Sequence, residues 1–318
     1  MSEILYKKIL VTGSTCTIGG ALQEIQSEYP ERTFLFVSSK DCNLARLDEV
    51  SSCLKRTSPD AILHFAAVSG GIELSMNHPA TLLRDNVLMN MNVMEAARML
   101  CIKKTVMTLS TGMYPSDAPN PLKEEYMHNG YPHPSTYSYA FAKRLVDPMI
   151  KAYRKEYGMN VIGLIPNAIV GGRSNFSYSA ATMVPALIRR FYENREGSEK
   201  LLVWGDGSPL REITYGDDIV RAFMWCLDNY NEEQVLNIGS TEEMSVKEVA
   251  YIIADIFKID RSRIVFDATK PSGVLRKSTD NNKFIKLSNF SYTSIRETLQ
   301  KTIDYFCAHY PDPKKLRL

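Results

Sequence analysis

Residues 7–29 read KKILV, then TGSTCTIGG, then ALQEIQSEY: an apolar strand, a glycine-containing turn and a helix. Few folds accommodate that order. The free N–H groups at a helix start, with the helix dipole behind them, favour an anion, and a strand leading into such a turn places it at the carboxyl edge of a parallel sheet. A diphosphate suits that geometry. Gly13 permits the tight turn and Gly19 lets the helix pack close to the sheet. The middle position of the Gly-x-x-Gly-x-x-Gly spacing is Cys16, so its side chain must turn away or the phosphates must approach less closely. The candidate cofactor contacts here are Gly13, Thr15, Cys16, Thr17, Ile18 and Gly19.

Four more strand-like runs follow: TFLFVS at 33–38, AILHFAA at 61–67, TVMTLS at 105–110 and NVIGLIP at 160–166. Helical patterns at 46–56, 79–101 and 137–157 separate them. Near-continuous apolar strands alternating with helices predict an α/β fold of the Rossmann type, a doubly wound parallel sheet. Beyond residue 168 the alternation changes, and a smaller α/β substrate domain is expected to cap the crevice. The expected division assigns 1–167 and 213–240 to the dinucleotide-binding part, and 168–212 and 241–318 to the substrate part.

The end of the second strand bears on the choice of cofactor. A site for NAD places an acidic residue there, on the ribose 2′-hydroxyl. Here the tip reads Ser38-Ser39-Lys40, hydroxyls and a cation that suit a 2′-phosphate, so NADPH is expected. Asn43 and Leu44 would flank the adenine. Ala66 and Ala67, ending the third strand, and Pro166 and Ile169, after the fifth, are further candidates. Gly70 and Gly71 open a loop that could pass close to the nicotinamide or the substrate.

Tyr139 and Lys143, four apart in YSYAFAKR, leave one face of a helix. A cation beside a phenol is expected to lower the tyrosine pKa and ready its proton for a substrate oxygen. Ser110 ends the fourth strand, where a hydroxyl faces the ligand crevice and could hold the same oxygen; Thr111 follows it. The loop 112–136 is long enough to read as a functional lid. Arg190, Trp204 and Arg211 offer bidentate phosphate binding and a flat stacking face for a sugar nucleotide.

Composition narrows the alternatives. A formal net charge of +2 over 318 residues gives no footprint for nucleic acid or an acidic membrane. No apolar stretch is long enough to span a membrane, and Tyr6, Lys7 and Lys8 lead directly into the first strand without a leader. The six scattered cysteines form no Cys-x-x-Cys pair, so reduced thiols, no metal site and a cytoplasmic location are expected.

Taken in order, TGSTCTIGG, FVSSKD, HFAAVSGG, LSTGMYP, Tyr139-x-x-x-Lys143, SNF, TMVPALIRRF and WGDGSPLRE resemble the extended short-chain dehydrogenase/reductase family, and within it the GDP-L-fucose synthase branch, over nearly the whole chain. The resemblance implies NADPH, a GDP-4-keto-sugar substrate, a homodimer and the roles above for Ser110, Tyr139 and Lys143. It also implies sugar-nucleotide contacts at Arg190, Trp204, Arg211 and Asp280, with Asn175 of the SNF block among the substrate candidates. That branch epimerises at C3 and C5 with a cysteine and a histidine. Those positions fall on Gly112 and Thr182, neither of which can move a proton at neutral pH as thiol or imidazole can. Pro-Thr-Asn after the fifth strand becomes Pro166-Asn167-Ala168.

The expectation is a dedicated C4 reductase without 3,5-epimerisation, making a nucleotide sugar for a surface polysaccharide. Three alternatives stay open: a bifunctional 3,5-epimerase/4-reductase using other residues, a non-catalytic NADP-binding regulator, and an enzyme that dehydrates or epimerises at C4.

Overall fold

The computed structural model describes residues 5–70, 72–178, 180–270 and 274–318. The first half alternates as read: β1 (Lys8–Thr12), α1 (Thr17–Ile25), β2 (Thr33–Val37), α2 (Leu47–Thr57), β3 (Ala61–His64), α3 (Ile72–Asn77), α4 (Pro79–Met99), β4 (Lys104–Thr108), α5 (Tyr137–Arg144), α6 (Val146–Tyr157) and β5 (Val161–Pro166). Then follow β6 (Ile169–Val170), α7 (Met183–Glu193), β7 (Leu201–Trp204), β8 (Leu210–Glu212), β9 (Thr214–Tyr215) and α8 (Gly216–Asn229). The chain ends through β10 (Leu236–Ile238), β11 (Glu243–Ser245), α9 (Val246–Ile256), β12 (Ile264–Asp267), β13 (Arg276–Lys277), α10 (Asn282–Ser288) and α11 (Ile295–His309).

Six strands form one parallel sheet in the order β10-β5-β4-β3-β1-β2. Alternate side chains of β1 go to opposite faces, as the two-residue period of a strand requires. Ile9 and Val11 pack in the core with Leu22 of α1 and Phe223 of α8, while Leu10 packs with Leu54 of α2 and Val93 of α4. Connections leave β1 toward β2 on one side and continue through β3 on the other, so the order reverses beside β1. Open α/β sheets bind ligands at such a reversal.

A second core, built from α7, α9 and α11 with short strands, includes Phe176, Ile188, Phe191, Ile253 and Phe306. It carries the paired strands β7–β12, β6–β9 and β11–β8–β13. These make the smaller C-terminal region beside the Rossmann-type sheet. Its helices are locally specified: Ser245 and Glu248 form a reciprocal capping box at the start of α9.

Two expectations need correction. The single helix over 137–157 is broken at Leu145 into α5 and α6. Pro148 supplies the reason: it has no N–H to offer the Arg144 carbonyl, and its ring crowds that oxygen. The loop 112–136 is also no loose lid. Leu122 donates its N–H to Ser278 O at 2.7 Å and accepts from Asp280 N at 2.8 Å. Met113, Tyr114, Leu122 and Met127 are buried in the core beside β4 and β5.

Candidate active site

The carboxyl ends of β1, β3, β4 and β5 open onto two adjoining cavities. A groove of about 940 Å³ runs over the glycine-containing turn, and a cavity of about 490 Å³ lies over the ends of β4 and β5. Cys16, Thr17, Ala67 and Ile169 border both.

The groove is built from the first turn outward. Gly13 has φ +72°, and a Cβ there would stand 2.6 Å from Ala66 N, so glycine is required at that crossing of β1 and β3. A Cβ on Gly19 would lie 2.4 Å from Gly13 O, which explains why the second glycine can pack so closely. Cys16 is half-buried and borders both cavities. It caps α1, and its thiol accepts from Gly19 N at 3.3 Å. Burial pushes the thiol pKa up, against smaller lowering effects from the nearby N–H groups and from Arg317 and Lys143.

Gly13, Thr15, Thr17, Ser38, Ser39, Asn43, Leu44, Ala66, Ala67, Gly70 and Ile169 all line the groove. Ile18 and Pro166 line the smaller cavity instead, and Gly71 lies outside the described residues. At the tip of β2, Asp41 accepts from both Ser38 N (2.8 Å) and Ser38 Oγ (2.6 Å). Lys40 is exposed and does not line the groove, although its neighbours Ser38 and Ser39 do.

In the smaller cavity Ser110, Thr111, Tyr139 and Lys143 come together. The Ser110 hydroxyl accepts from Gly112 N at 3.2 Å and lies within hydrogen-bonding reach of the Tyr139 phenol. Lys143 is buried and its ammonium donates to Thr108 O at 2.9 Å. Burial lowers the Lys143 pKa to about 8. Burial also raises the Tyr139 pKa, only partly offset by Ser110. The expected lowering of the phenol by Lys143 is therefore not what this arrangement produces: burial outweighs the Ser110 hydrogen bond, and Tyr139 is a protonated donor.

The helix carrying the pair is anchored from behind. His64 is fully buried, with Nδ1 2.8 Å from Thr12 Oγ1 and Nε2 3.1 Å from Asn90 Oδ1. Asn90 Nδ2 in turn donates to Ala142 O, the residue before Lys143. Arg144 clamps the preceding loop by donating from Nε to Met113 O at 2.9 Å and from Nη1 to Gly130 O at 2.7 Å.

The substrate candidates divide. Thr111 and Arg211 line the reaction cavity, and Asn175 and Thr182 line the groove. Gly112 faces a small adjoining recess with His133 and Thr136. Arg190, Trp204 and Asp280 border neither cavity. Arg190 donates to Leu202 O at 2.5 Å, Trp204 ends an edge strand and is 57% exposed, and Asp280 accepts from Asn282 N at the start of α10. Two cavity residues escaped the sequence reading. Glu212, held by Thr279 N (2.8 Å) and Asn167 Nδ2 (2.9 Å), is raised by burial to about 7. Lys277 is lowered by burial, and then by Arg211, to about 8. Both arrive on three- and two-residue strands that carry no local pattern.

A Ser–Tyr–Lys set in a cavity that adjoins the groove over the glycine-containing turn, on a Rossmann-type sheet, defines an oxidoreductase of the extended short-chain class. The chain belongs to the NAD dependent epimerase/dehydratase family, whose profile matches residues 9–239, in its GDP-L-fucose synthase branch. It is 30% identical to the GDP-L-fucose synthase of Dictyostelium discoideum, over 99% of this chain and 100% of that one. It is 33% identical to the GDP-L-fucose synthase of Sinorhizobium fredii, over 96% and 97%. The crystal structure of a GDP-L-fucose synthetase from Naegleria fowleri bound to NADP superposes with a TM-score of 0.91, at 29% identity, covering 100% of this chain and 98% of that one.

Proposed function

We propose that this protein uses NADPH to reduce the C4 ketone of a GDP-4-keto-sugar. The observation that carries the reading is the convergence of Ser110, Tyr139 and Lys143 in the cavity that adjoins the groove. The groove fits a dinucleotide: the turn at Gly13 leaves backbone N–H groups at the head of α1, and Ala66, Ala67 and Ile169 wall it with small or apolar side chains. Bound NADPH would supply a hydride. Tyr139 would give its proton to the forming alkoxide, and its raised pKa keeps that proton on the phenol at neutral pH. Ser110, near the phenol, would orient the same oxygen. Lys143, charged below about pH 8, would stabilise negative charge as it develops. Arg211 would meet the nucleotide-sugar diphosphate and Thr111 the sugar, while Arg190, Trp204 and Asp280 border neither cavity.

Whether the enzyme also epimerises at C3 and C5 separates two readings. Full-length similarity to proteins named GDP-L-fucose synthase supports the bifunctional 3,5-epimerase/4-reductase. Glu212 and Lys277, titrating near neutrality beside the reaction cavity, are groups that could carry its proton transfers. Gly112 and Thr182, where the branch uses cysteine and histidine, support a reductase alone. Incubating the 4-keto-sugar with the protein in D2O without NADPH tests this: deuterium at C3 or C5 selects the bifunctional reading, and its absence selects the reductase.

A further inference from the structure

The groove has little positive charge for a ligand so negative. Of the described residues that line it, only Asp85 and Arg317 carry a charge. Lys40 is not part of the groove lining, and Lys143 lies in the adjoining cavity. The head of α1 is also weaker than a glycine turn would be. The Cys16 thiol already accepts from Gly19 N and lies against Ile18 N, so it takes up N–H groups that would otherwise face an anion.

Arg317 comes from the segment that follows α11, far from the turn in sequence. That segment is fixed to the loop after β6. Arg317 pairs with Asn175 in a parallel bridge, and Phe176 N donates to Arg317 O at 2.7 Å. Arg173 Nη1 reaches Lys315 O at 3.3 Å. Leu316 is 1% exposed and sits in the second core with Phe176. With its neighbour buried and its backbone paired, Arg317 is held with its side chain on the groove wall. The side chain makes no hydrogen bond or ion pair with the described residues, and its charge reaches the Cys16 thiol.

We propose that Arg317 completes the dinucleotide site by pairing with the diphosphate bound over the Cys16 turn. The segment after α11 thus supplies the charge that the turn lacks. This rests on the dinucleotide reading above and adds a residue that the glycine motif does not contain. A guanidinium suits the role because it binds phosphate oxygens bidentately and stays charged at every working pH.

The test is binding, not turnover. Quenching of protein fluorescence is titrated with NADPH, with adenosine 2′-monophosphate (which has no diphosphate) and with GDP, for wild type, Arg317→Gln and Arg317→Lys. Arg317→Gln is expected to weaken NADPH about tenfold. It should flatten the salt dependence of that affinity, leave the other two ligands within about twofold, and leave the melting temperature unchanged. Arg317→Lys keeps the charge and the backbone pairing, and should lose only a few-fold. Unchanged NADPH affinity in Arg317→Gln overturns the proposal, as does equal weakening of adenosine 2′-monophosphate. Weakening of GDP instead assigns Arg317 to the sugar-nucleotide diphosphate and also overturns it. A wild-type protein that binds no NADPH removes the dinucleotide reading itself.

Discussion

The Lys143 ammonium donates to the Thr108 carbonyl at 2.9 Å, tying α5 to the carboxyl end of β4. That bond fixes the spacing between the two elements that supply the Ser–Tyr–Lys set, since Ser110 follows β4 and Tyr139 lies one turn before Lys143. It also leaves the cation in the interior, where desolvation rather than pairing sets its pKa.

The rate of hydride transfer should therefore fall as pH rises through about 8, where Lys143 loses its charge. Tyr139 does not oppose this trend, because its raised pKa keeps it protonated above that point. Single-turnover rates across the neutral and basic range check the sign. A rate that climbs with pH would mean that a tyrosinate acts as base in the limiting step.

The same burial makes His64 a source of acid lability. Its pKa is held down to about 3, first by burial and then by the Lys143 charge, with Asn90 acting the other way. In the unfolded chain histidine titrates near its ordinary value of about 6.5. The native state binds fewer protons in that window, so stability is present above about 6.5 and is lost as pH falls toward 3, at up to about 1.4 kcal/mol per unit. Urea midpoints across this range should drop less steeply for His64→Gln than for wild type. Parallel slopes would show that His64 is not the group responsible.

Gly13 tolerates no side chain. With φ +72° and Ala66 N only 2.6 Å from an added Cβ, Gly13→Ala should destabilise the protein by about 1–3 kcal/mol and widen the turn enough to weaken NADPH. Urea unfolding and dinucleotide titration measure both effects. An unchanged midpoint would mean that the turn can relax around the methyl group.

The Rossmann half was legible because its signals are local. Buried strands such as VIGLIP read as continuous apolar runs, the turn carries its glycines, and Tyr139 and Lys143 announce themselves by helical spacing. The break at Leu145 was encoded by Pro148, and the reading ran the helix through it. What stayed hidden depends on pairing distant segments. Lys277 enters the cavity because β13 pairs with β8, and Arg317 enters the groove because it bridges Asn175. Neither sits in a periodic pattern. The resemblance named Arg190, Trp204 and Asp280 as substrate contacts, yet their side chains lie outside both cavities. Burial raises the Tyr139 pKa, and spacing reports a neighbour's charge but not how deeply the pair is buried.

Reduction at C4 depends on the Ser110–Tyr139–Lys143 set. The most direct measurement follows NADPH oxidation with GDP-4-keto-6-deoxymannose, for wild type and Tyr139→Phe, with the product identified by NMR. One NADPH should be consumed per ketone converted to an alcohol at C4, and kcat should be about 10²- to 10⁴-fold lower in Tyr139→Phe with NADPH affinity little changed. An unreduced ketone with wild type, or full activity in Tyr139→Phe, would contradict it.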